Sequence, residues 1–279
     1  MLFIPDVPLE KKHQNILLEN NERKSVMTLE EISAKIEEQE KIIKDQARRI
    51  ERMEAVNAIQ NVMSRYAAYH VASEQEKTAE LYCHHTPGTR LVFNGDIYDE
   101  WQGVVNHFIN RMSNAEEDLS GRLYLHDMVS PLIEVAEDCK TADCMFSSHG
   151  CETGWNPDGS LKACWAFNRY HIIFVKEDGE WRIWRQEMHQ ILNTPYEGKG
   201  WVEEPCYDII GNAPQELKDS TAAHPECGPD RVTKKPYLGL STETPECDAH
   251  NLIPVPPLPY KESNPNRFRD EDDLDWTWD

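Results

Sequence analysis

Four long strand-forming stretches, joined by short polar turns, fill residues 122–192, and their order limits what this chain can become. Arg122–Ile133 is apolar with a bend at Pro131, and Thr141–Trp155 follows an acidic turn. Ala163–Val175 runs into Glu177-Asp178-Gly179, a hairpin turn, and Glu180–Leu192 returns from it. Consecutive strands on short turns pair antiparallel. The stretches before them read as helices. Helices first and an antiparallel meander later indicate an α+β fold, not a parallel sheet.

The helical part opens at Thr28. Thr28-Leu29-Glu30-Glu31 has the capping-box spacing, a hydroxyl at the cap and a carboxylate three residues on. Leu29, Ile36, Ile43 and Ile50 recur every seven residues, and Ile32, Gln39, Gln46 and Met53 fill the second apolar position, half of them polar. Two readings follow: a short coiled coil that pairs subunits, or a solvated helix with one apolar stripe. The spacing then slips to Val56, Ile59, Met63 and Tyr66, which suits packing on a core, so the domain is expected to start near Ala55. A second helix is expected over Glu74–Cys83. The strand from Thr89 ends in an Asn94-Gly95 hairpin turn, with its return strand over Ile97–Trp101. Val104, Val105, Phe108, Ile109 and Met112 then give an amphipathic helix.

Both ends lie outside this pattern. Residues 1–27 read as an arm. Ten of the 17 prolines fall between Pro214 and Pro265, where neither sheet interior nor long helix is expected. The chain from Pro195 onward nevertheless keeps Tyr207, Tyr237, Leu252 and Tyr260, too apolar for a free tail, so residues 200–279 read as an arm that wraps a folded body, ending in an acidic tail. The organisation expected is therefore an arm (1–27), a coiled-coil-like helix (28–54), a cone domain (55–199) and a wrapping arm (200–279).

Charge narrows the partners. The formal net charge of −21 repels phosphate backbones and anionic membranes, so neither nucleic acid nor a membrane is expected. Eight cysteines include no C-x-x-C pair, so no zinc site is expected, and they read as reduced thiols. Met1–Leu9 lacks the pattern of a secretory signal, and the chain is expected to be cytoplasmic. Dinucleotide, P-loop and nucleophile-elbow motifs do not occur, and no cofactor is expected.

Several phrases, in order, resemble one family. Arg65-Tyr66-Ala67-Ala68, then Val92-Phe93-Asn94-Gly95, then Gly103-Val-Val-Asn-His-Phe, then Tyr124-Leu-His126-Asp-Met, then Asp178-Gly-Glu-Trp-Arg-Ile-Trp184 are similar to stretches of SnoaL-like, nuclear-transport-factor-2-like proteins. The resemblance covers roughly Ala55 to Trp201. It implies a cone-shaped curved antiparallel sheet closed by helices, holding a small organic molecule. Members include polyketide cyclases, dehydratases, ketosteroid isomerases and formaldehyde-releasing lyases, and some members only bind, so fold alone leaves function open.

The candidate residues follow from the resemblance and from strand parity. The resemblance makes His126 an acid/base residue; a core histidine bonded to a carbonyl is the other reading. Family dehydratases carry a tyrosine at the position of Tyr66, which is equally readable as a core aromatic. Several have an aspartate near the position of His70, so this chain departs there. Strand alternation puts Arg185, Glu187 and His189 on the face of Trp181 and Ile183; the resemblance implies that these two pack under the helices, so all three point into the hollow. The reading is a cofactor-independent acid/base lyase or isomerase acting on an aromatic or polycyclic molecule. His126, Tyr66, Arg185 and His189 are its catalytic residues; His70, Tyr69, Tyr124 and Glu187 contact the substrate. The competing reading is a non-catalytic binding or assembly protein, and the seam helix implies a homodimer or homotrimer.

Overall fold

The computed structural model describes residues 27–111, 120–197, 201, 215, 225–234 and 250–269. The amino-terminal arm, Tyr207, Tyr237 and the acidic tail fall outside these residues. Helix α1 spans Leu29–Val71, and its start is the expected capping box: Thr28 N–H donates to Glu31 Oε2 (2.8 Å) and Glu31 N–H to Thr28 Oγ1 (3.2 Å). Its first buried residue is Ala55, followed by Ile59, Val62, Met63 and Tyr66, one face at helical spacing. Leu29, Ile36, Ile43 and Ile50 are exposed.

Helix α2 is Gln75–Ala79, strand β1 is Arg90–Phe93 and β2 is Asp96–Asp99, joined by a turn in which Asn94 and Gly95 both take positive φ. Helix α3 is Glu100–Val105, so the expected return strand ends before Trp101. A π-helical turn, Asn106–Arg111, continues it. Then come β3 (Tyr124–Leu125), β4 (Met128–Val135), β5 (Thr141–Trp155), β6 (Leu161–Glu177) and β7 (Glu180–Pro195), with a two-residue β8 (Arg231–Val232). They form one eight-stranded sheet in the order β3-β5-β6-β7-β1-β2-β8, with β4 also on β5. The sheet is antiparallel except that β1 joins β7 in parallel.

The residues of α1 named above, Phe108 and the inner residues Ala142, Cys144, Phe146, Tyr170, Ile172 and Phe174 make one core. On the other face a smaller cluster of Cys83, Ile173, Val175 and Trp184 is covered by Phe268. Glu177 ties the helical side to the β6–β7 hairpin. Its carboxylate accepts from the backbone N–H groups of His84 (2.7 Å), His85 (2.9 Å) and Thr86 (2.7 Å). Burial works to raise its pKa, but these donors pull it down to about 2.

Among the described residues, 250–269 lie on this same chain's sheet as a strap. Arg169 donates to the Ile253 carbonyl (3.3 Å), Tyr260 and Thr141 hydroxyls share a hydrogen bond (2.8 Å), and Ser263 Oγ donates to Asp138 (2.5 Å). Tyr260 is buried, whereas Leu258 is 70% exposed. Tyr260→Ala should therefore cost about 2–4 kcal/mol of stability, and Leu258→Ala should stay within about 0.5 kcal/mol. Chemical denaturation of both variants checks this; equal, negligible losses would mean that the strap contributes nothing to the fold.

Candidate active site

The inner face of the sheet turns polar at one end. Ser148 on β5, Asn168 on β6 and Gln190 on β7 stand in register across three strands, and all are buried. Next along β5 comes Gly150, then Glu152. Glu152 is directly opposite Tyr124 on β3, so the two share a face.

His126 follows β3 and is buried above this end. Its Nε2 lies 2.9 Å from Glu152 Oε1. The other carboxylate oxygen accepts from Asn193 Nδ2 at 3.1 Å. A carboxylate fixed on two sides thus fixes the imidazole, sets Nε2 as the protonated nitrogen and leaves the lone pair on Nδ1. Space for this arrangement comes from Gly150. A Cβ there would sit 1.9 Å from the Leu125 carbonyl oxygen and 3.2 Å from His126 Nδ1. Asp127 is exposed on the opposite side, as strand alternation from His126 requires.

Two groups from α1 face the dyad. The His70 ring centroid is 5.2 Å from that of His126, and the Tyr66 ring is 6.0 Å from His70. Burial and the nearby His126 push His70 down to about 4, although Glu152 and the hydrogen bond with Gln75 act to raise it. His70 is therefore a neutral imidazole at physiological pH. Burial pushes the Tyr66 phenol up to about 12, and the bond from Gln186 Nε2 (3.0 Å) offsets only part of that. Tyr66 oxygen accepts from Gln186, and the Tyr82 hydroxyl beside it acts in the same direction on the phenol. Tyr170, Phe108 and Phe146 supply aromatic wall around these groups.

Other expected site residues lie elsewhere. Arg185, Glu187 and His189 are on the outer face. The reason is a pair of β-bulges in β7. Phe174 pairs Ile183 while Ile173 pairs Arg185, so Trp184 is an extra residue; Phe167 pairs Leu192 while Asn168 pairs Gln190, so Ile191 is a second. Trp181 and Ile183 point in, then Gln186 and Met188, then Asn193. Arg185 instead donates to the carbonyls of Gly88 (3.3 Å) and Phe268 (2.6 Å), and His189 lies 3.2 Å from Glu187. Trp165 and Phe167 are outside too, on the face of His149. Tyr69 is half-buried one step round from His70. Tyr124 shares the face of Glu152 and is bonded through its hydroxyl by Arg122.

Glu152 is the residue that sequence reasoning missed. One signal for it existed: a lone carboxylate at the parity of Phe146 and Ser148, two positions after a glycine within a strand.

A cone of curved sheet and helices, with a carboxylate–imidazole pair inside it, defines the class of protein. Residues 51–187 match the family described as SnoaL-like domain, and that segment is a SnoaL-like domain. Solved structures similar to it include a Novosphingobium aromaticivorans protein provisionally named a scytalone dehydratase (15% identity, 55% of this chain and 95% of that one, TM-score 0.41). Others are a Mycobacterium tuberculosis protein of unknown function (15%, 66% and 96%, 0.45) and a hexachlorocyclohexane dehydrochlorinase of Novosphingobium barchaimii (14%, 56% and 99%, 0.42). Comparison with curated proteins gives no match.

The depressed His70 makes a pH prediction. Its folded pKa of about 4 lies below the ordinary 6.5, so between these values the unfolded chain binds more protons. Stability attributable to this site should therefore rise with pH from 4 to 6.5 and level off above. His70→Gln, which cannot titrate, should flatten that part of the profile. Melting temperature against pH for both proteins checks it; superimposable slopes would contradict the burial argument.

Proposed function

We propose that the chain is a cofactor-independent acid/base lyase or isomerase acting on an aromatic or polycyclic small molecule in the cone. The observation that carries this reading is the buried His126–Glu152 contact at 2.9 Å, with Tyr66 and His70 on the facing helix.

In this reading His126 Nδ1 takes a proton from a carbon next to an activating group, and Nε2–H on Glu152 stabilises the imidazolium that results. The carbon–hydrogen electron pair moves toward the activating oxygen, which gains charge. Tyr66 O–H donates to that oxygen, and neutral His70 is a second donor. In a buried site such dipoles act strongly on developing charge. The proton on His126 then returns, either to a departing oxygen, giving elimination, or to a second carbon, giving isomerisation. Ser148, Asn168 and Gln190 offer hydroxyl and amide groups to a substrate's further oxygens, and Phe146, Phe108 and Tyr170 suit a flat ring.

Turnover on a substrate found by mass-spectrometric screening of cyclic hydroxy-carbonyl compounds tests this. His126→Ala should lower kcat by about 10²–10⁴-fold with the fold intact. Glu152→Gln keeps a hydrogen bond but removes the charge that supports the imidazolium, and should lower kcat with little change in KM. Full activity in both folded variants would reject the reading.

The same proposal includes assembly into a homodimer or homotrimer through the exposed stripe of Leu29, Ile36, Ile43 and Ile50 on α1. Ile43→Glu should shift the protein to smaller species in size-exclusion chromatography with light scattering, at unchanged melting temperature. An unchanged mass leaves the stripe as a solvated face.

A further inference from the structure

On the outer face of the sheet, away from His126, the strap closes over a cleft of about 510 Å³. We propose that this cleft is a second binding site, separate from the cone, for a small organic carboxylate with an apolar body.

The walls set the body of the ligand. Val92, Ile97 and Ile173 come from three strands, and Pro256, Leu258 and Phe268 from the strap. The volume is that of sites that enclose small organic molecules. The charges set its head group. Although the chain is strongly acidic, the described lining holds four arginines, Arg90, Arg185, Arg267 and Arg269, and two carboxylates, Asp143 and Glu187. Arg90 is bridged to Asp99 at 2.8 Å; Arg185, Arg267 and Arg269 are the other three guanidinium groups of the described lining.

Arg267 is the best-placed of the three. Its guanidinium lies over the Tyr260 ring at 4.3 Å, which fixes its plane, and its contact with Asp143 is long, 3.6 Å. Asp143 is already engaged by His171 Nε2 at 2.8 Å. A planar, stacked guanidinium with a distant partner is preorganised for a bidentate carboxylate. The first bulge of β7 is what sends Arg185 to this face, so one irregularity supplies both the cone and the cleft.

Titration calorimetry of the full chain tests the site, with octanoate as the probe and octanol as its uncharged counterpart. The expected result is saturable octanoate binding, with octanol about tenfold weaker or more. Arg267→Gln removes the charge at a half-exposed position, and Leu258→Glu places a carboxylate at the mouth from an exposed one; each should weaken octanoate about tenfold or more. His126→Gln should leave the affinity unchanged. Absence of saturable binding, equal affinity for octanol, or loss of binding in His126→Gln with retention in Arg267→Gln would each overturn the proposal.

Discussion

Two extra residues in β7, Trp184 and Ile191, decide which side chains this sheet holds inside. Between them the inward set shifts from odd to even positions, and after Ile191 it shifts back. That places Trp181 and Ile183 under the helices, Gln186 on Tyr66 and Asn193 on Glu152. A strand of unbroken alternation would instead put Arg185 and Glu187 into the apolar interior, where each charge would need a partner to offset its desolvation. The bulges thus keep guanidinium and carboxylate outside while admitting neutral amides, and the amides hold the phenol and carboxylate around which the cone interior is arranged.

The site is built in layers of decreasing freedom. Gly150 allows residues 125–126 to cross β5, which puts His126 against Glu152. Asn193 holds the carboxylate, the carboxylate holds the imidazole, and α1 brings His70 and Tyr66 opposite. By the resemblance, several family dehydratases carry an aspartate near the position of His70; this chain has an imidazole there and a carboxylate, Glu152, on strand β5. The two imidazoles differ by environment, not by residue type: one is held neutral by burial, the other is paired with a carboxylate.

What was legible in the sequence was what is local. The capping box at Thr28, the turns at Asn94-Gly95 and Asp178-Gly179, and the slip in spacing before Ala55 each depend on residues within a few positions of one another. Helices followed by a meander, and His126 facing inward with Asp127 outward, follow from the same short-range rules. Glu152, the parallel pairing of β1 with β7 and the seating of the strap depend on register between distant segments, which composition and periodicity do not carry. Arg185, Glu187 and His189 lie on the face opposite to that expected because alternation does not run straight through Trp184: two apolar residues, Ile183 and Trp184, adjoin where the bulge falls, and only the pairing with β6 shows which of them is the extra one.

The central claim is that Glu152 fixes His126 with its lone pair on Nδ1. Nitrogen NMR of histidine-labelled protein, with the His126 signal assigned by its loss in His126→Gln, measures this directly. The account predicts that Nε2 carries the proton held by Glu152, that Nδ1 is bare, and that the Nε2 signal moves in Glu152→Gln. A ring protonated on Nδ1 with Nε2 bare would leave no base facing the cone and would contradict it.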